Sequence, residues 1–415
     1  MDKYLINGGK QLDGSIRVER AKNAVLPLLA ASILTDEKTV IIDCPKINDV
    51  LNMIKILQSV GCTTYFEGNN LIIDPSNVSN DELDYNLTKE LRSSIFMLGS
   101  LLSRLKVAKI AYPGGCDIGL RPIDMHVSTF KELGVYIEEV SSGIYCKSDN
   151  VKGKSIYLDF PSVGVTENIM LLTAISNGVT IINNPAKEPE IVDLMNFLNL
   201  MGAKITGAGK DAIYIEGVKK LHGVEYKPVG DRIEAGTFLI AGAITGGEVE
   251  VSGVKPEILG ALLNKFLNNT CNISIKSDII YLKSGAKRKG FLIETNPYPG
   301  FPTDLQAQML SLACVSDGVS IIRENIFETR FKHVQELIKI GADVIVKDRT
   351  AIVKGVRHFI GGEVYAKDLR GGASLVLAGL NAKGSTLVCD IKHIERGYYR
   401  LDDKLRALGA DIKKL

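Results

Sequence analysis

The sequence has no run of about 18 consecutive apolar residues, the length that a membrane-crossing helix requires. Its first residues, MDKYLINGGKQLDG, lack the apolar core of a secretory signal, so neither export nor a membrane association is expected. Seven cysteines (44, 62, 116, 146, 271, 314 and 389) are odd in number, scattered and free of any CxxC. That excludes a disulfide framework and fits reduced thiols in the cytoplasm. Five histidines (126, 222, 333, 358 and 393) show no metal-ligand spacing, so no metal site is expected. With a net charge of only +2 there is no whole-molecule field for nucleic acid, and any anion binding must be local. Apolar material is ample. With 45% hydrophobic and 24% charged residues in 415, the chain can fill two domains of roughly 200 residues each.

Two periodic series run through the chain. Six helix starts carry residues suited to anions: AKNAVLPLLAA (Lys22, Asn23), LRSSIFMLGSLL (Arg92), PSVGVTENIMLL (Ser162, Gly164), DRIEAGTFLIAG (Arg232), PTDLQAQMLSL (Asp304) and LRGGASLVLAG (Arg370). From Lys22 through Arg92, Val163, Arg232, Asp304 and Arg370 the steps are 70, 71, 69, 72 and 66 residues. A second series marks helix ends: Gly61, Gly134, Gly202, Thr270, Gly341 and Gly409, with steps of 73, 68, 68, 71 and 68. Glycine there predicts a left-handed C-cap, and Thr270 predicts an irregular helix end in the fourth repeat. One unit of about 70 residues, copied six times, explains both series.

Each unit alternates strands with helices, which argues for α/β layers. The last repeat ends at LRALGADIKKL without its strand pair, and the N-terminal YLINGGKQLDGSIRVE matches AIYIEGVKKLHGVEYKP in spacing and turns. Residues 1–21 are therefore expected to complete a domain with 230–415, and 22–229 to form the other. The chain then crosses between domains twice, near Ala21 and Gly230, an arrangement suited to a hinge.

YPGGCDIGLRPIDMH (112–126) is the most specific local signal. Its Pro-Gly-Gly composition predicts an exposed loop with Cys116 at the tip and Arg121 close enough to favour the thiolate. For the other six cysteines a buried, inert thiol is expected. Thr303 with Gln306 predicts a capping box that places Asp304 at a helix start. There it occupies the slot where four other repeats carry Lys22, Arg92, Arg232 and Arg370, so one carboxylate meets several cations, as a general base requires. Arg121 and Arg396 stand at equivalent distances, 13 residues, from Gly134 and Gly409. Structural ion pairs, Arg232 with Glu234 or Arg370 with Asp368, are the plainer expectation for those arginines. The Ser162-Val163-Gly164 turn suits either a phosphate cradle or a simple N-cap.

These stretches, together with KEPEIVDLMNFL, ETRFKHVQELIKIGAD and HIERGYYRLDDKLRALGA, resemble the UDP-N-acetylglucosamine enolpyruvyl transferase family from end to end. The resemblance implies an inside-out α/β barrel of two domains with three repeats each. It implies transfer of the enolpyruvyl group of phosphoenolpyruvate to the 3-hydroxyl of the nucleotide sugar, with no cofactor, by a monomer. By the same resemblance, Lys22, Arg396 and Arg121 hold the phosphate of phosphoenolpyruvate, and Arg92 and Arg370 position anionic groups. Asn23 bonds near the reacting sugar. Arg121, Pro122, Ile123, Asp124 and Met125 line the uridine, Ser162, Val163 and Gly164 meet the diphosphate, and Ile326 contacts the nucleotide sugar. Asp304 takes the hydroxyl proton. Cys116 acts as proton donor and is the site of fosfomycin alkylation. Two positions depart from the usual pattern: Arg20 precedes AKN where Gly is common, and Phe160 stands where some members carry Lys. A shikimate-type enolpyruvyl transferase and a non-catalytic nucleotide-sugar sensor are the rival readings. The first lacks this Cys-bearing loop, and the second needs neither Cys116 nor Asp304.

Overall fold

A computed structural model describes residues 2–112, 114, 123–149, 151–268, 271–285 and 288–415. Four positions singled out above, Cys116, Arg121, Pro122 and Thr270, lie outside the described residues.

Six helices stand at the first series of markers: α1 (Lys22–Ala31), α2 (Phe96–Leu105), α3 (Val163–Thr173), α4 (Arg232–Thr245), α5 (Gln306–Cys314) and α6 (Leu369–Asn381). Short 3₁₀ turns, Arg92–Ile95 and Thr303–Leu305, lead into α2 and α5. These helices lack a polar face because none is needed. α4 is buried from Arg232 to Ile244, and α6 from Leu369 to Leu380. A helix buried all round reads as near-continuous apolar sequence, as FLIAGAI and LVLAGL do.

The repeat at 155–216 shows the unit. Strand Ser155–Tyr157 leads through α3 to Val179–Asn183, which pairs parallel with it. An outer helix, Pro189–Leu200, then leads to the hairpin Lys204–Thr206 and Ala212–Glu216, whose second strand pairs antiparallel with Val179–Asn183. The parallel crossover needs a helix and the hairpin needs only a turn, which accounts for the strand–helix–strand–helix–strand–strand order. Among the described residues six such sheets form, five of four strands and one of three. In the three-stranded sheet, the parallel edge strand is reduced to a single bridge between Glu82 and Lys109.

The N-terminal strands divide between two sheets. β1 (Lys3–Asn7) lies between Ser385–Cys389 and Asp411–Lys414, completing the last repeat as expected. β2 (Asp13–Arg17) instead pairs parallel with Glu248–Ser252 in another sheet. The equivalent strand Glu225–Tyr226 likewise leaves its repeat to pair with Thr39–Ile41. The expected pair therefore separates, because its second strand is the parallel edge of the following unit.

The chain folds into two compact units, Met1–Glu19 with Gly230–Leu415, and Arg20–Gly115 with Arg121–Val229. Each holds three sheets around its own buried helices: α1 to α3 in the second unit, α4 to α6 in the first. The first unit's core runs through Phe238, Phe266, Leu310, Phe359 and Leu377.

Helix ends repeat as regularly as helix starts. Gly61, Gly134, Gly202, Gly341 and Gly409 all have φ between 89° and 111°. The residue after each bonds five positions back, as in Cys62 N–H to Leu57 O and Ala410 N–H to Leu405 O. That is the Schellman closure, in which a side chain at the left-handed position is disfavoured. Cys271 N–H reaches Phe266 O with the same spacing, so this closure persists beside Thr270.

Among the described residues, no helix is long and apolar enough to cross a membrane, and no group of three or more His, Cys, Asp or Glu side chains is placed to hold a metal. The six described cysteines are buried and unbridged, and burial pushes the Cys44, Cys62 and Cys146 thiols up to about 12.

Candidate active site

In the unit holding α1 to α3, Lys22 opens α1, where its Nζ lies 3.0 Å from Asp49 Oδ2. Asp49 is buried near the start of helix Asn48–Ser59, so the ammonium is held in place by a carboxylate behind it. Asn23 follows on the same first turn. Arg92 begins the turn into α2, and Ile123 caps helix Asp124–Glu132, which carries Asp124 and Met125. Ser162 is the N-cap of α3, with Oγ accepting from Val165 N–H at 3.5 Å, and Val163 and Gly164 form the first helical residues.

Arg20 has a defined place. Its guanidinium pairs with Asp43 at 3.2 Å and donates to the Pro228 carbonyl at 3.2 Å, while Lys227 also pairs with Asp43 at 3.0 Å. The two crossing strands of chain are thus tied together on this unit, where Ala21 N–H also bonds Val229 O. Asp193 takes the Val229 N–H and the Tyr226 hydroxyl, and its burial pushes its carboxyl up to about 6. Phe160 is partly exposed, and its carbonyl accepts from Ser162 N–H.

In the unit holding α4 to α6, Asp304 sits in the turn into α5 with its carboxylate between two guanidiniums. Arg330 Nη2 lies 2.7 Å from Oδ1, and Arg370 Nη2 lies 3.0 Å from Oδ2. Both arginine side chains are almost fully buried, whereas Asp304 remains 26% exposed. Beneath them Gln308 donates to the Asp304 carbonyl at 3.0 Å, and the Tyr398 hydroxyl bonds Thr237 at 2.8 Å. The Tyr398 ring lies under Arg370, 5.4 Å from centroid to guanidinium. Arg330 Nε, Arg370 Nε and Arg370 Nη1 are buried and have no hydrogen-bond partner among the described residues. Spare donors on two fixed guanidiniums suit a second carboxylate beside that of Asp304.

Three expectations need correction here. Thr303 does not form a capping box with Gln306, because its hydroxyl donates to Glu324 Oε2 at 2.9 Å. Glu234 pairs with Lys404 at 2.6 Å, not with Arg232, which instead stacks over the Tyr298 ring. Arg370 pairs with Asp304, not with Asp368, which caps α6 by accepting from Arg370 and Gly371 N–H groups.

Sequence reasoning missed Arg330 and Glu324. Buried Glu324 accepts from the Thr295 and Thr303 hydroxyls and from the Ile326 and Phe327 N–H groups. It therefore fastens the Ile326 loop to the turn that carries Asp304. Arg330 lies in ETRFKH, whose charged composition gives no sign that its arginine is buried. Arg396 lies between the turn Ile391–His393 and helix Leu401–Ala407, near enough to His393 for its charge to add to the burial and Lys392 effects that depress that imidazole.

The six repeats, three in each unit, with helices inside and sheets outside, define the enolpyruvyl transferase fold. The family described as EPSP synthase (3-phosphoshikimate 1-carboxyvinyltransferase) matches residues 6–405. An enolpyruvyl transferase NikO from Streptomyces tendae superposes with a TM-score of 0.90 at 24% identity, covering 100% of this chain and 98% of that one. EPSP synthase from Acinetobacter baumannii gives 0.76 at 17% identity, with full coverage of both chains. UDP-N-acetylglucosamine 1-carboxyvinyltransferase 2 from Caldanaerobacter subterraneus is 49% identical over the full length of both chains. The UDP-N-acetylglucosamine 1-carboxyvinyltransferase from Halothermothrix orenii is 46% identical, again end to end. The chain belongs to the EPSP synthase family and, within it, to the UDP-N-acetylglucosamine 1-carboxyvinyltransferases.

Proposed function

We propose that this protein transfers the enolpyruvyl group of phosphoenolpyruvate to the 3-hydroxyl of UDP-N-acetylglucosamine, releasing phosphate and opening peptidoglycan synthesis. The observation that carries the reading is end-to-end identity of 44–49% to relatives of that name, against 17% to a solved EPSP synthase. The reaction is placed in the cytoplasm, which the unbridged thiols fit, and in a monomer without metal or organic cofactor.

The chemistry follows from the groups present. Protonation of the methylene carbon of phosphoenolpyruvate, by Cys116, leaves the adjacent carbon cationic. The sugar hydroxyl attacks that carbon while Asp304 takes its proton, giving a tetrahedral adduct. Loss of a proton from the new methyl group and departure of phosphate then restore the double bond. Lys22, Arg396 and Arg121 stabilise the leaving phosphate, each fixed cation contributing a few kcal/mol. Arg330 and Arg370 hold the substrate carboxylate on their spare N–H groups. Asn23 bonds the reacting sugar and Ile326 packs on it. Arg92, Arg121 to Met125 and the Ser162–Gly164 turn hold the uridine diphosphate.

Phosphate release with phosphoenolpyruvate and either UDP-N-acetylglucosamine or shikimate 3-phosphate tests the acceptor. Turnover is expected only with the nucleotide sugar. Turnover only with the shikimate ester, or with neither, overturns the reading. Exposure to fosfomycin is expected to add one inhibitor mass to the intact chain, abolished in Cys116→Ala.

A further inference from the structure

We propose that His126 binds the substrate, its ring Nε2–H donating to the diphosphate of the nucleotide sugar at the N-terminus of α3. The proposal rests on the reaction given above. A chain of hydrogen bonds fixes which ring nitrogen carries the proton. Asn168, buried on α3, accepts the Gly99 N–H at Oδ1, 3.0 Å away. Its other side-chain atom is thereby the amide nitrogen, which donates to the Ile95 carbonyl at 3.0 Å and meets His126 Nδ1 at 3.2 Å. An amide nitrogen offers only N–H, so Nδ1 must be the acceptor and the neutral ring holds its proton on Nε2. Burial keeps the ring neutral, pushing its pKa down to about 3, and the charge of Arg92 acts in the same direction.

The protonated nitrogen faces the first turn of α3. A Cβ built on Gly164 would lie 3.5 Å from Nε2, so glycine there leaves the approach to this N–H open. The residue is only 5% exposed, and Nε2 has no hydrogen-bond partner among the described residues. Nε2 is absent from the enclosed side-chain atoms that lack a partner, so its N–H stays open to a ligand oxygen although the ring itself is buried. The first-turn N–H groups of the eleven-residue α3 and the positive end of its dipole lie beside this nitrogen, and Arg92 is near enough for its charge to act on the ring. An anion with several oxygens, the pyrophosphate of a nucleoside diphosphate sugar, fits that set of donors.

Calorimetric titration with UDP-N-acetylglucosamine tests this. His126→Phe keeps a ring but has no N–H, and binding is expected to weaken about tenfold or more, the worth of one hydrogen bond to a charged acceptor. His126→Gln restores an N–H and is expected to recover most of the affinity. Unchanged affinity in a folded His126→Phe, with only its melting temperature lowered, overturns the proposal by making His126 a packing residue. Should that variant not fold, ¹⁵N-imidazole spectra of the wild-type protein decide. A neutral Nε2–H ring whose Nε2 signal moves on adding UDP supports the proposal, and an Nδ1–H ring or an unmoved signal overturns it. Failure of the wild type to bind the nucleotide sugar at all, seen before any variant is made, sinks the parent reading and this one together.

Discussion

Asp304, the base in the proposed reaction, is held between two cations. Two guanidiniums contact its oxygens and fix the orientation of the carboxylate. In the proposed reaction a substrate carboxylate on the spare N–H groups of Arg330 and Arg370 shares those cations, leaving Asp304 to accept the hydroxyl proton. Asp304→Asn is therefore expected to cut turnover by about 10²–10⁴-fold, the usual contribution of a general base. Because it leaves two buried guanidiniums without their carboxylate, it should also lower stability; steady-state phosphate release and urea unfolding measure the two effects. Arg330→Ala should raise the KM for phosphoenolpyruvate more than that for the nucleotide sugar. At this scale Asp304 was legible, because the repeat places it in a slot otherwise occupied by cations. Of its two partners, Arg370 was among the cations expected around it and Arg330 was not. Arg330 stands 26 residues away in a segment with no marker, and only the tertiary fold brings it near.

Helix starts were legible wherever the signal is local. Asp231 precedes α4 and accepts from Ile233 and Glu234 N–H groups at 2.8 and 2.9 Å. Asp231→Ala is expected to cost about 1–2 kcal/mol, read as a lower urea midpoint at unchanged slope. The turn into α5 was misread for a physical reason: Thr303 had two possible partners, and the buried carboxylate of Glu324 took its hydroxyl. Glu324→Ala should therefore act on both segments it holds. Loosening of the Ile326 loop and of the Asp304 turn together is expected, measured as faster amide exchange at Ile326 and Phe327 and at Asp304. The split of β1 from β2 was also hidden, since spacing shows that strands repeat but not which neighbour each one bonds.

Across the whole molecule, folding takes up protons at Glu167. It is fully buried on α3 with both oxygens unpartnered among the described residues, and burial, with the charges of Glu190 and Glu188 behind it, raises its pKa well above the usual 4.5. A raised carboxyl contributes stability below its unfolded value and loses it as pH climbs through the folded one. Asp193, raised from 3.8 to about 6, acts the same way over that interval. Glu167→Gln should match the wild type near pH 4.5 and exceed it at pH 8, compared by urea midpoints. The six repeats themselves were the most legible feature, because each demands the same helix start and the same left-handed glycine.

In the proposed reaction one carboxylate, Asp304, and the cations around it serve enolpyruvyl transfer to a nucleotide sugar. Mass spectrometry of UDP-N-acetylglucosamine after incubation with phosphoenolpyruvate and the protein tests it most directly. A nucleotide sugar bearing one enolpyruvyl group is expected, matched by one equivalent of inorganic phosphate and lost in Asp304→Asn. An unmodified nucleotide sugar, or product formed equally well by the Asp304→Asn protein, would contradict it.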